Sequence, residues 1–127
     1  MSNEIYLYGF EEDEDSGRMR EYRMHNVALC DARHPIPDVT DSVFPQVVEN
    51  PLDFYNHQKV VRAWLERHQA FLLETHDREL KNRVNLYVSG LTPCLVAFLQ
   101  EWRDDAELYL MHWDRDTDKY VECFWYC

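Results

Sequence analysis

The stretch NRVNLYVSGLTPCLVAFLQEWRDDAELYLMHWDRDTDKY, from Asn82 to Tyr120, decides the fold class, because it reads as strand, tight turn, helix and strand in succession. Val84, Leu86 and Val88 alternate with polar or aromatic neighbours, the pattern of a strand with one buried face. Ser89-Gly90 turns the chain, and Thr92 is expected to cap a helix whose first position holds Pro93, where the missing N–H is tolerated. Together these features predict a β-α-β crossover. In open α/β sheets, ligands settle at the carboxyl ends of the strands, where a helix N-terminus offers unpaired N–H groups and partial positive charge. Ser89, Gly90, Leu91 and Thr92 follow the first strand, and His112, Trp113, Asp114 and Arg115 close the second. A small anionic ligand is the expected occupant.

Working outward, Ile5 to Tyr8 is a short strand candidate, and Glu11 to Asp15 (EEDED) followed by Ser16-Gly17 is expected to be an acidic, solvated loop. Val27 to Cys30 has the composition of a short buried strand. It ends at Asp31-Ala32-Arg33-His34-Pro35-Ile36-Pro37, where two prolines forbid helix. An irregular connection is expected through Val43-Phe44-Pro45 and Asn50-Pro51. Asp53 is placed to cap a long helix reaching about Glu79, with an apolar stripe of Val60, Val61, Trp64, Leu65, Phe71 and Leu72. A second helix, Thr92 to Arg103, is apolar nearly all round through Leu95, Val96, Phe98, Leu99 and Trp102, as expected for a helix buried on a sheet. Leu108 to Trp113, a turn over Asp114 to Asp118, and Tyr120 to Tyr126 form a β-hairpin by pattern. The sum is one small α/β domain over residues 1–127, with a mixed sheet of four to five strands, two main helices and a C-terminal β-hairpin. Phe124, Trp125 and Tyr126 are more aromatic than an isolated edge strand should be, so a homo-oligomer, a dimer or higher, is expected.

At 127 residues the chain has room for one core and no second one. A hydrophobic fraction of 46%, with 14% aromatics, excludes a disordered chain. The formal net charge is −11, so the field of the protein repels polynucleotide phosphates and long nucleic acids are excluded as partners. A short nucleotide is not excluded, since charges beyond a Debye length of roughly 8 Å are screened. No apolar run approaches the roughly 18 residues of a membrane span, and Met1-Ser2-Asn3-Glu4 lacks a basic, apolar leader pattern. The expectation is a cytoplasmic protein with no membrane partner. Cys30, Cys94, Cys123 and Cys127 lack paired C-x-x-C spacing and are expected to be reduced thiols. His57, His68 and His76 share the first helix, too far apart to chelate one ion. No metal and no cofactor are expected.

Three clusters carry candidate chemistry: Arg33-His34, Ser89 to Thr92, and His112 to Arg115. If the strands run parallel, all three meet along one rim of the sheet. Their donors suit phosphates, and Tyr87, Tyr109 and Trp113 offer stacking surfaces. Each cluster also has a purely structural explanation: Arg33 paired to Asp31 or Asp38, Thr92 capping its helix, and Arg115 locked in a turn with Asp114 and Asp116. His34 and His112 have the chemistry for general base and acid attack of a ribose 2′-OH on its own phosphate. No G-x-S-x-G, H-E-x-x-H, Walker A or G-x-G-x-x-G pattern is present, so no catalytic residue is assigned.

DARHPIP at Asp31 to Pro37, NLYVSGLTPCLVAFL at Asn85 to Leu99 and LMHWDRDTDKY at Leu110 to Tyr120 together resemble the small phage proteins of the anti-Thoeris sponge family, in which similar stretches occur in the same order. The resemblance covers roughly the last three quarters of the chain. It implies a non-enzymatic sponge that sequesters the cyclic ADP-ribose-type signal made by TIR-domain defence proteins, with oligomers and pockets at a subunit interface. It implies ligand-binding roles for Arg33, His34, Tyr87, Ser89, Gly90, Leu91, Thr92, His112, Trp113 and Arg115. Ser89 stands where the family more often has threonine, Pro93 removes one N–H at the helix start, and Asp118 occupies a position typical of a turn glycine. Two other functions fit the same composition. One is a CRISPR-associated-type ring nuclease cleaving cyclic oligoadenylate, and the other is an acidic protein that occupies a basic partner surface by charge.

Overall fold

The computed structural model of the protein describes residues 7–12, 19–30, 41–44, 48–68, 80–88, 91–103 and 106–126. Its elements are β1 (Leu7–Glu12), β2 (Met19–Ala28), β3 (Asp41–Ser42), α1 (Phe54–Arg67), β4 (Leu80–Tyr87), α2 (Thr92–Glu101), β5 (Glu107–Asp114) and β6 (Lys119–Tyr126). The sheet runs β1-β2-β4-β5-β6, with the two-residue β3 pairing Val27 and Ala28 of β2 beyond the end of β1. β2, β4 and β5 are parallel, while β1 and β6 pair antiparallel to β2 and β5 at the two edges. This is the mixed α/β sheet with two helices and a C-terminal hairpin that the hydrophobic pattern predicts.

The parallel centre follows from where the apolar residues fall. Val27 sits opposite Leu86, and Leu86 opposite Leu110, so three strands present one continuous apolar row to the helices. Trp64 of α1 and Phe98 of α2 close over that row, both fully buried, with ring centroids 5.9 Å apart. The two helices are tied at the surface by Arg62 Nε to Glu101 Oε2 at 2.9 Å and Gln58 Nε2 to Gln100 Oε1 at 2.9 Å. The opposite row of β4 is buried as well: Asn85 donates to Asn26 Oδ1 at 2.9 Å, and Tyr87 lies beside it. A central parallel strand is commonly covered on both faces, and the paired amides meet the hydrogen-bonding need this creates.

Several boundaries differ from expectation. The first strand is described over Leu7–Glu12, with Ile5 and Tyr6 outside the described residues, and Glu11 and Glu12 belong to it instead of a loop. The register places Glu11 and Glu12 level with Arg20 and Met19 of β2, so the antiparallel ladder runs through both. The remainder of the acidic run, residues 13–15, lies outside the described residues. β2 begins at Met19, well before Val27, because its polar half pairs with β1 on one side and β4 on the other. Asp53 does cap α1, its Oδ1 accepting from the Asn56 N–H at 3.1 Å, but α1 ends at Arg67 with His68 as its C-cap. The stretch on to Glu79, with Phe71, Leu72 and His76, falls outside the described residues.

At α2 the cap is Leu91, not Thr92. Leu91 is extended, at φ −90° and ψ 129°, and its carbonyl accepts from the N–H groups of Cys94 (3.1 Å) and Leu95 (3.4 Å). Thr92 is therefore already helical, makes no side-chain cap, and Pro93 falls within the first two positions. The hairpin between β5 and β6 is organised by Asp114, whose carboxylate accepts from the Asp116 N–H at 3.0 Å and from Thr117 Oγ1 at 2.9 Å. Asp118 closes the turn at φ 51°, the left-handed region. A short polar side chain tolerates that conformation, whereas a β-branched one pays its steric penalty in full. Asp118→Val is accordingly expected to destabilise the protein by about 1–2 kcal/mol in urea unfolding, and Asp118→Gly to stabilise it.

Cys30 and Cys94 are both buried, where the end of β2 meets the first turn of α2. Burial raises the Cys30 thiol, partly opposed by hydrogen bonds with the Leu91 backbone and Cys94. Burial, reinforced by Cys30 alongside, pushes Cys94 up to about 12. Below the ordinary thiol value of 9.0, folded and unfolded chains both keep these protons. Above it the unfolded chain ionises first and holds fewer protons, so stability falls as pH rises from 9.0 toward about 12. Urea midpoints are expected to drop over that range more steeply in the parent than in Cys94→Ala. Iodoacetamide at neutral pH is expected to label exposed Cys123 before Cys30 or Cys94, as read by peptide mass mapping.

Candidate functional site

Parallel pairing carries the ends of β2, β4 and β5 to one rim. Ala28 is level with Tyr87, and Tyr87 with Met111, so β5 continues past its neighbour by His112 to Asp114. The hydrogen bonds run on beyond the strands, from Leu29 N–H to the Tyr87 carbonyl at 3.1 Å and from Val88 N–H to the Met111 carbonyl at 2.9 Å. α2 starts from the same rim, directly after β4. Tyr87, Leu91, Thr92, His112, Trp113 and Arg115 therefore belong to one end of the sheet. Arg33, His34, Ser89 and Gly90 lie outside the described residues.

Strand alternation divides this group by face. His112 follows Leu108 and Leu110 on the helix side, while Trp113 follows Tyr109 and Met111 on the other. Trp113, Tyr120 and Tyr87 form an aromatic cluster there, with centroids 5.1 Å apart for Trp113–Tyr120 and 4.7 Å for Tyr87–Tyr120, both edge to face. Burial raises the Tyr120 hydroxyl above its ordinary value. Tyr109 is occupied within the sheet, with the Arg83 guanidinium 3.5 Å from its ring centroid and Phe124 at 4.9 Å. Arg83 also donates to Glu122 Oε2 at 2.6 Å and to Asn85 Oδ1 at 3.0 Å.

Arg115 and His112 are exposed, and among the described residues no ion pair reaches Arg115. The Asp114 carboxylate is engaged instead by the turn itself, which leaves the guanidinium available at the hairpin tip. A cleft of about 400 Å³ opens beside the start of α1, lined by Phe44, Val48, Glu49, Asn50, Asp53, Asn56, His57 and Val60. Its two carboxylates and lack of a lysine or arginine make it unsuited to an anion. None of the expected site residues lines it.

A second constellation comes from residues far apart in sequence. His25 of β2, Asp41 of β3 and His68 at the end of α1 each offer a ligand atom, all within 4.8 Å of one another. His68 Nε2 and Asp41 Oδ2 are 2.8 Å apart, and Trp64 Nε1 donates to the same oxygen at 2.7 Å. The other oxygen accepts from the Ser42 N–H at 2.8 Å. The His25 and His68 rings lie 4.9 Å apart, with the Trp64 ring 4.4 Å from His68. Sequence reasoning missed His25 because it lies in the polar half of β2, and it set His68 aside with its helix neighbours. Only the crossover from β3 through α1 brings the three together, and no spacing rule marks it. Searched against family models, curated proteins and solved structures, the chain matches none.

Proposed function

We propose that this protein binds a small cyclic nucleotide signal and sequesters it without cleaving it, the role implied by its resemblance to the anti-Thoeris sponges. The signal class is a cyclic ADP-ribose isomer of the kind made by TIR proteins, or a cyclic oligonucleotide, met in the cytoplasm of a bacterial host. One observation carries this proposal: the parallel strand ends, the start of α2 and the unpaired Arg115 share one rim in a body of net charge −11. An exposed arginine there draws a phosphate by a charge-assisted contact, and the half-buried Trp113 and Tyr120, backed by buried Tyr87, supply aromatic surface to a base. Binding without turnover is favoured because no carboxylate among the described residues orients His112 as a general base.

The test is to mix the protein with cyclic ADP-ribose isomers and cyclic oligoadenylates, record thermal shifts, then denature and chromatograph what is released. Intact ligand, at no more than one per site, is expected. Arg115→Ala is expected to weaken binding by about 1.5–3 kcal/mol while leaving the melting temperature of the free protein unchanged. Linear product in excess of the protein overturns sequestration in favour of a ring nuclease, with His34 and His112 as its catalysts. No shift with any nucleotide leaves the acidic partner-binding role.

A homo-oligomer is part of the same proposal. β6 is an edge strand, and Val121, Phe124 and Trp125 on it are 53%, 47% and 47% exposed. Its outer backbone groups face no strand among the described residues, so a second copy docking along β6 covers both the apolar side chains and the open edge. Light scattering at micromolar protein is expected to give a dimer or larger species, and a stable monomer removes this part of the proposal.

A further inference from the structure

We infer that His25, Asp41 and His68 form a binding site for one first-row divalent cation of the zinc class, with a remaining position left to water. Two imidazoles and one carboxylate are the donor set that zinc accepts in sites with three protein ligands, and imidazole selects against magnesium and calcium. The three groups come from three rigid supports. His25 is fully buried in β2, Asp41 is fixed to β2 by the pairing of Val27 with Asp41, and His68 ends α1 with 3% of its side chain exposed.

The surroundings orient these ligands in the way metal sites require. Both Asp41 oxygens are held, one by the Ser42 N–H at 2.8 Å and one by the Trp64 indole at 2.7 Å, so the carboxylate is aimed before any cation arrives. Bonds of about 2.0–2.1 Å in a tetrahedral site set ligand atoms about 3.3 Å apart. The present pairs span 2.8 Å, for His68 with Asp41, up to 4.8 Å at most. Loading therefore opens the His68–Asp41 hydrogen bond slightly and draws the wider pairs in, movements within the reach of side-chain rotation. Asp41, with 27% of its side chain exposed, provides the way in from solvent. The histidines contribute soft nitrogen donors in a mostly buried setting, where water competes poorly for the ion.

Protein stripped with EDTA and dialysed is titrated with zinc chloride, and separately with cobalt chloride, which reports geometry by its visible absorption. One equivalent of zinc is expected to raise the melting temperature, and one of cobalt to give the intense bands of four-coordinate nitrogen and oxygen ligation. Asp41→Asn keeps an acceptor for Trp64 and is expected to weaken zinc at least tenfold, and His25→Gln to abolish the cobalt bands. Should His25→Gln fail to fold, X-ray absorption of the zinc-loaded parent decides the matter by showing two imidazoles in the first shell. A parent that binds neither ion, or one whose bound cobalt is six-coordinate and shows no imidazole, overturns the site and leaves a hydrogen-bonded core cluster. None of these outcomes depends on nucleotide binding.

Discussion

Between Glu21 and Ala28, β2 runs parallel to β4, and a parallel pair can be joined only by chain that leaves the sheet and returns across it. Everything else in the structure follows from that constraint. The connection must carry β3, the irregular segment after it and α1, and it delivers α1 onto the apolar face where Trp64 meets Phe98. The next crossover repeats the pattern through α2 and returns as β5, level with β4. Both crossovers pass over the same face, where their helices meet, and on the other face the buried Asn85 donates to Asn26 at 2.9 Å. An apolar residue at either position removes this bond, and a buried polar group left short of a partner costs about 1–3 kcal/mol.

The same constraint divides the protein chemically. Strand ends and the start of α2 gather at the rim, where the backbone finishes its ladder and side chains such as Arg115 project unpaired. Beside β2, past the end of β1, β3 and the last turn of α1 converge and assemble the His25, Asp41 and His68 group around Trp64. The two regions draw on different residues, so the proposed nucleotide and the proposed cation would occupy separate sites. The buried Cys30 and Cys94 thiols lie beside one another where the end of β2 meets α2.

The edges obey a different logic. β1 pairs antiparallel with Met19 to Met24 of β2 and closes one edge. β6, at the other edge, keeps Val121, Phe124 and Trp125 exposed along it. In the proposed oligomer, β6 is the side on which a second copy would dock. That side lies away from the His25, Asp41 and His68 cluster, which is on β2 toward the opposite edge.

What the sequence by itself determined was local. Periodicity over Val84 to Val88 and Leu108 to Trp113, the capping Asp53, and the hairpin from β5 to β6 all express contacts within a few residues or along one face, where spacing and residue type are sufficient. Apolar alternation did not reveal that β2 starts at Met19, because that half-strand is stabilised by its neighbours on both sides rather than by its own hydrophobicity. Nor did it show Leu91 as the cap, since the choice depends on which carbonyl the first helical N–H groups reach in space. Tertiary structure alone decided that the ends of β2, β4 and β5 share one rim, because parallel register is set between strands and not along one. It alone brought His25, Asp41 and His68 together, because only a crossover can place a strand residue, an edge residue and a helix end within 4.8 Å.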